Sequence, residues 1–181
     1  MTQNRLILFV GTSASGKTTI ARSVAREEEA TLILVSSIIR ERAKEEGYTS
    51  LRAFFKKYGI KGAFEKAREK ILNQIIDRLK KNKVVVEGVY DHELFQEMVK
   101  RVGRKNMTIV NVAGNRSARK HRIGFRTNIG RSEATKKLKE RDAIKWGGGL
   151  LDVLRNADFI VRGNTPSEAV AQYRLRKRRL R

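Results

Sequence analysis

Leu6-Ile7-Leu8-Phe9-Val10-Gly11-Thr12-Ser13-Ala14-Ser15-Gly16-Lys17-Thr18-Thr19 is the stretch on which the reading of the fold turns. Residues 11–18 fit G-x-x-x-x-G-K-[ST], the spacing of a phosphate-binding loop. The glycines let the backbone turn tightly and aim several N–H groups at one phosphate chain. A helix starting at the loop adds the positive end of its dipole. Before the loop, five apolar residues read as a buried strand. After it, Ile20 and Val24 fall four apart on one helix face. Gly11, Thr12, Ser13, Ala14, Ser15, Gly16, Lys17, Thr18 and Thr19 are therefore the candidate nucleotide-binding residues. Lys17 is placed to clamp β- and γ-phosphates, and the Thr18 hydroxyl to hold Mg²⁺.

Working outward, strands and helices alternate. Strands are expected over 31–35, 83–87, 107–112 and 158–161, rich in β-branched residues. Ser36 or Ser37 is expected to cap a helix over 38–46. Thr49 or Ser50 starts a short helix that stops near Gly59, and a long amphipathic helix follows over 63–81. Asp91 caps a helix reaching about residue 102, or competes with Glu87 as a metal carboxylate. Residues 115–145 read as helix, loop, helix, broken by Gly147-Gly148-Gly149. Thr165, Pro166 and Glu168 form the start of a last helix, at N-cap, N1 and N3. The pattern implies an α/β fold of the doubly wound kind, with a mainly parallel five-stranded sheet flanked by helices. One domain over 1–181 is expected, with an acceptor-side helical region at 36–82 and a basic, lid-like region at 115–146.

The chain has 181 residues, no cysteine and a formal net charge of +22. Without cysteine there is no disulfide framework and no thiolate metal site. No apolar run approaches the length of a membrane span, so a cytoplasmic protein with no membrane partner is expected. Residues 91–181 carry 23 basic and 9 acidic side chains, and six of the last eight residues are Lys or Arg. Such an excess implies a polyanionic partner, with RNA or a ribonucleoprotein met through the lid-like region and the tail, or a nucleotide-rich site.

Taken in order, these motifs resemble the P-loop nucleotide kinases of the adenylate, cytidylate and dephospho-CoA kinase group. Ser36-Ser37-Ile38-Ile39-Arg40 stands where that group opens its acceptor site. Glu87-Gly88 follows the third strand, and Arg122-Ile123-Gly124-Phe125-Arg126 is similar to the arginine-rich start of a mobile LID. Residues 139–142 and 157–161 resemble the closing segments of an archaeal group of dephospho-CoA-kinase-like P-loop proteins. The resemblance implies transfer of the γ-phosphoryl of ATP·Mg²⁺ to a nucleotide-like or RNA acceptor. It implies Lys17, Arg122 and Arg126 as catalytic cations, Ser37 and Arg40 as acceptor-binding residues, and Glu87 as the carboxylate that completes the Mg²⁺ site with Thr18. Two positions depart from the pattern. Ser37 replaces an acidic residue and is a poor base at neutral pH; Val89 stands where related kinases carry a phosphate-binding arginine.

The alternative to phosphotransfer is an RNA-binding P-loop ATPase that uses hydrolysis as a conformational switch. Arg119 and Arg141 are further candidates for the phosphate clamp. Trp146 reads as a core or hinge anchor, or as a stacking platform. Tyr48, Phe54, Phe55 and Tyr58 read as packing for the acceptor-side helices, or as a stack for an acceptor base.

Overall fold

A computed structural model describes residues 6–163 and 165–179. Five strands form one sheet: β1 (Leu6–Val10), β2 (Thr31–Leu34), β3 (Val84–Glu87), β4 (Met107–Ala113) and β5 (Phe159–Arg162). Their order is β2-β3-β1-β4-β5, and every pairing is parallel. Parallel strands need long crossovers, and here helices supply them. They are α1 (Lys17–Glu27), α2 (Val35–Glu45), α3 (Leu51–Leu79), α4 (His92–Val102), α5 (Arg116–Thr127), α6 (Arg131–Gly147), α7 (Leu150–Arg155) and α8 (Pro166–Arg178), with a 3₁₀ turn at Arg104–Asn106.

The central strand shows why this sequence chooses two layers of helix. All five residues of β1 are buried, and alternate ones serve opposite cores. Leu6, Leu8 and Val10 pack with Phe64, Ile71, Ile75 and Phe95 from α3 and α4. Ile7 and Phe9 pack with Ile20 and Val24 of α1 and with Val170 and Tyr173 of α8. A sheet covered on both faces needs strands that are apolar throughout, and β1 and the valines of β3 meet that requirement. Among the described residues no helix is long and apolar enough to cross a membrane.

Most expected boundaries fall within a residue or two of the observed ones. Ser50 caps α3 by accepting from the Ala53 N–H, Asp91 caps α4 by accepting from Leu94 N–H, and Thr165 caps α8 by accepting from Glu168 N–H. Gly59, at φ +67°, breaks α3 where the two helices were expected to part. The start of α2 differs. Val35 is helical rather than extended, Leu34 takes the N-cap, and no side chain caps the helix. Burial decides this: Val35, Ile38 and Ile39 all reach the core only if the helix begins at the end of β2. Ser36 and Ser37 therefore lie within the first turn of α2. Leu180 and Arg181 of the basic tail lie outside the described residues.

Candidate nucleotide and acceptor site

The loop between β1 and α1 leaves the sheet at β1, beside which the chain runs to β3 on one side and β4 on the other. That is where an open α/β sheet forms its ligand crevice. Gly11 has φ +142°, and a Cβ there would lie 2.5 Å from the Val112 carbonyl oxygen. No other residue fits so close to β4. Ala14 and Gly16 also have positive φ, +56° and +99°, which curls the loop amides toward a common centre.

Lys17 opens α1 and is buried, at 5% exposure. The side chain folds back over the loop. Its Nζ donates to Thr12 O at 2.7 Å and to Ser15 Oγ at 3.4 Å, and lies 4.0 Å from Glu87 Oε1. The Thr18 hydroxyl donates to Glu87 Oε2 at 3.3 Å. Ammonium, hydroxyl and carboxylate thus meet at one corner. Burial, then the nearby Lys145 ammonium, holds the Lys17 pKa well below its ordinary value, with Glu87 opposing. Thr18 and Glu87 offer hard oxygens of the kind Mg²⁺ takes alongside phosphate and water, so these residues fit the ion.

The lid-like region is a helical hairpin, α5 and α6, with its own small core of Ile123, Ala134 and Leu138. It is fastened to the loop at several points. Arg119 Nε donates to Ser13 O at 2.8 Å, Arg122 Nη1 to Ala14 O at 3.1 Å and Lys145 Nζ to Gly11 O at 3.4 Å. Ser13 N–H donates to Asp142 Oδ1 at 2.9 Å, and Asp142 also pairs with Arg119. Of the two expected LID arginines, Arg122 holds loop backbone and Arg126 is exposed. The cations that line the cleft come from α6 instead: Arg141 and Lys145, one turn apart. Burial lowers the pKa of Lys145, against the raising influence of Glu87. Lys145 and Asp142 were not singled out in the sequence. The available signal was their spacing with Arg141, i, i+1 and i+4, ahead of the triple glycine.

Beyond the corner opens a cleft of about 290 Å³. Ser36 and Ile39 of α2, Leu51 and Phe55 of α3, Gly88 and Tyr90 after β3, and Ile144 of α6 line it. Ser37 and Arg40 are not among the lining residues, and Arg40 is exposed. Val89 points into the core. Tyr48, Phe54 and Tyr58 pack edge to face with one another, so of the four aromatics only Phe55 reaches the cleft. Burial first, then Asp91 and Glu87, raises the Tyr90 phenol's pKa, which keeps it a hydrogen-bond donor. Trp146 is 44% exposed, beside Arg116 and Arg119 rather than in the core.

With this geometry in view, the chain can be set beside known proteins. The family described as "AAA domain" matches residues 10–137. A UPF0200/UPF0201 protein of Archaeoglobus fulgidus is 28% identical over 165 residues, 87% of this chain and 50% of that protein. The chain therefore spans about half the length of that relative. A UPF0200 protein of Methanopyrus kandleri is 23% identical, over 86% of this chain and 79% of its own. The solved shikimate kinase of Aquifex aeolicus superposes with a TM-score of 0.60 at 21% identity, covering 96% of each chain. The chain belongs to the AAA-domain family that matches it, and its fold is that of the solved P-loop kinases.

Proposed function

We propose that this P-loop protein is an ATP-dependent phosphotransferase of the nucleotide-kinase type. The observation that carries the reading is the corner where Lys17, Thr18 and Glu87 meet, in one cleft with Ser36, Phe55, Tyr90 and Arg141. A nucleotide held at residues 11–19 would present its γ-phosphoryl group to that cleft. Bound Mg²⁺ would neutralise charge on the β- and γ-oxygens, with Thr18 and Glu87 as its protein oxygens. An acceptor oxygen then forms a bond to the γ-phosphorus as the bond to the β-phosphate oxygen breaks, and ADP departs. Lys17, Arg141 and Lys145 line the same cleft and would offset the charge on the transferred group's oxygens. Such transfer depends on positioning and charge neutralisation rather than covalent catalysis.

The cleft wall bears on the acceptor. Apart from Glu87, which is bonded to Thr18, no carboxylate among the described residues lines it. A phosphate-bearing acceptor needs no base, because its attacking oxygen is already anionic; Arg141 would hold that anion, with Phe55 and Tyr90 beside an apolar or aromatic portion. An alcohol acceptor would lack a dedicated base. The surplus of positive charge, +22 over the chain, favours a second reading, in which water is the acceptor and hydrolysis serves a conformational switch on an RNA partner. The experiment uses ATP labelled at the γ-phosphorus, with Mg²⁺ and a panel of nucleoside monophosphates and alcohols. Label on an acceptor supports phosphotransfer. Label appearing only as inorganic phosphate, whatever acceptor is added, supports hydrolysis. No consumption of ATP sinks both.

A further inference from the structure

Helix α5 has two working faces. Arg119 and Ile123 are buried toward the P-loop and the hairpin core. Phe125, on the face turned away, is 84% exposed, more than any other large hydrophobic side chain described. A phenyl ring this exposed contributes little to the packing of the hairpin. It stands in a groove of about 460 Å³ between α5 and α6, where Ser117, Lys120, His121, Ile129 and Arg131 also contribute. Among the described residues no carboxylate lines this groove. The hairpin as a whole, residues 116–147, carries eleven Lys and Arg against three acidic side chains.

We propose that this groove is a docking site for single-stranded RNA, with one base stacked on Phe125 and flanking phosphates on Lys120 and Arg131. The inference rests on the RNA-binding reading above and gives it a surface; it does not require that phosphotransfer fail. The argument is chemical. A ring so exposed offers a platform that any base can use, and the cations of the same groove can track the backbone. An acidic peptide would satisfy the cations and leave the ring without a planar partner. The Ser117 hydroxyl and the His121 imidazole stand in the same groove and can bond a ribose 2′-hydroxyl, the group that distinguishes RNA from DNA. Lys120 and Arg131 are distinct from the three hairpin cations that hold the nucleotide loop, Arg119, Arg122 and Lys145, which donate to loop carbonyls.

The surface is tested with the full chain and a 5′-labelled twelve-residue oligouridylate, by fluorescence anisotropy across a salt series and without ATP. Phe125→Ala is expected to weaken binding about tenfold or more through loss of one stacked base, with the salt slope unchanged. Lys120→Gln with Arg131→Gln is expected to flatten the log–log salt slope by about 1.4, the share of two phosphates on a single strand. ATP consumption without RNA is expected to stay at the parent rate in both variants, since neither touches the P-loop. Binding that neither variant alters would overturn the groove while leaving an RNA partner elsewhere. Equal or tighter binding of the matching oligothymidylate would overturn the assignment to RNA. No binding even at low salt would overturn both the groove and the RNA reading, and would leave ATP turnover to be judged by itself.

Discussion

Two buried ammonium groups side by side repel unless an anion comes between them. Lys17 and Lys145 are so placed: burial lowers the pKa of both, and the Lys145 ammonium lowers that of Lys17 further. The arrangement makes sense around a phosphate chain. Replacing Lys17 with Met keeps the packing and removes one of the charges. ATP consumption is expected to fall about a hundredfold or more, the scale of losing one charge-stabilising donor, while the ligand-free protein melts no lower than the parent. A Met variant that turns over ATP at the parent rate would dismiss Lys17 as the clamp. A second consequence concerns protons. Both lysines sit below the ordinary value of 10.5, so between their lowered pKa values and 10.5 the folded chain binds fewer protons than the unfolded one. Stability of the ligand-free protein from these groups is therefore greatest above 10.5 and declines as pH falls through the lowered values. Phosphates reverse the shift, so ATP binding near pH 9 is expected to take up protons. Titration calorimetry in two buffers of different ionisation enthalpy measures this; the uptake should shrink in Lys145→Met.

At the scale of elements, the α5–α6 hairpin rests on the loop, held by hydrogen bonds. Asp142 accepts the Ser13 N–H, an amide that faces the anion site, and neutralises Arg119, which is only 8% exposed. Asp142→Ala leaves the Ser13 N–H without its acceptor and Arg119 without its counter-charge, though the Arg119 Nε bond to Ser13 O remains. A loss of up to about 3–5 kcal/mol is expected, the range for breaking a buried pair, with faster amide exchange through α6; unchanged exchange would mean that Asp142 does not hold the hairpin to the loop. The triple glycine that follows is not uniform. A Cβ on Gly149, at φ +100°, would lie 2.8 Å from His92 Cβ, whereas one on Gly147 meets nothing within 4 Å. Gly149→Ala should therefore destabilise, while Gly147→Ala, in the last turn of a helix, should be neutral or gain up to about 1 kcal/mol; thermal melts of the two separate these outcomes. These elements also show what the sequence could convey. Local rules located the loop, the caps at Ser50, Asp91 and Thr165, and the break at Gly59, because each depends on neighbours within a few residues. The choice of Arg141 and Lys145 over Arg122 and Arg126 did not follow from such rules. It depends on how the hairpin rolls onto the loop, and that is fixed by Ile123 and Leu138 packing beside Ala14. The absence of Ser37 and Arg40 from the cleft has a similar origin, one turn of phase set when Val35 starts α2.

At the scale of the whole molecule, a net charge of +22 on 181 residues is self-repelling, and the fold opposes it only in part. The C-terminal helix shows how. Arg174 donates to Glu27 at 2.7 Å, and Lys177 pairs with Glu28, which also accepts from Lys83 at 3.2 Å. Burial pushes the Glu28 pKa up, but the two lysines overcome it and hold the carboxyl below its ordinary value. Its contribution is present above the unfolded carboxylate pKa and fades as pH falls through the lowered one. Part of the basic tail is thus committed to holding α8 on α1, and truncation after Tyr173 would remove structural ion pairs along with surface charge. Two effects of added salt then compete. Salt weakens exposed ion pairs, each worth about 0–1 kcal/mol, and it screens the mutual repulsion of the surplus cations. Many of the ion pairs here are at least partly exposed, whereas the repulsion acts over the entire surface, so screening should win. The melting temperature at pH 7 is expected to rise by a few degrees between about 20 and 300 mM sodium chloride, a range over which the Debye length falls severalfold. Sulfate at equal ionic strength should raise it further, because an anion of that shape can settle among the loop amides and between Lys17 and Lys145. Lys17→Met should abolish most of the sulfate excess and leave the chloride response intact. A melting temperature that falls with salt would mean that the ion pairs, including the one at Glu28, outweigh the repulsion they sit in.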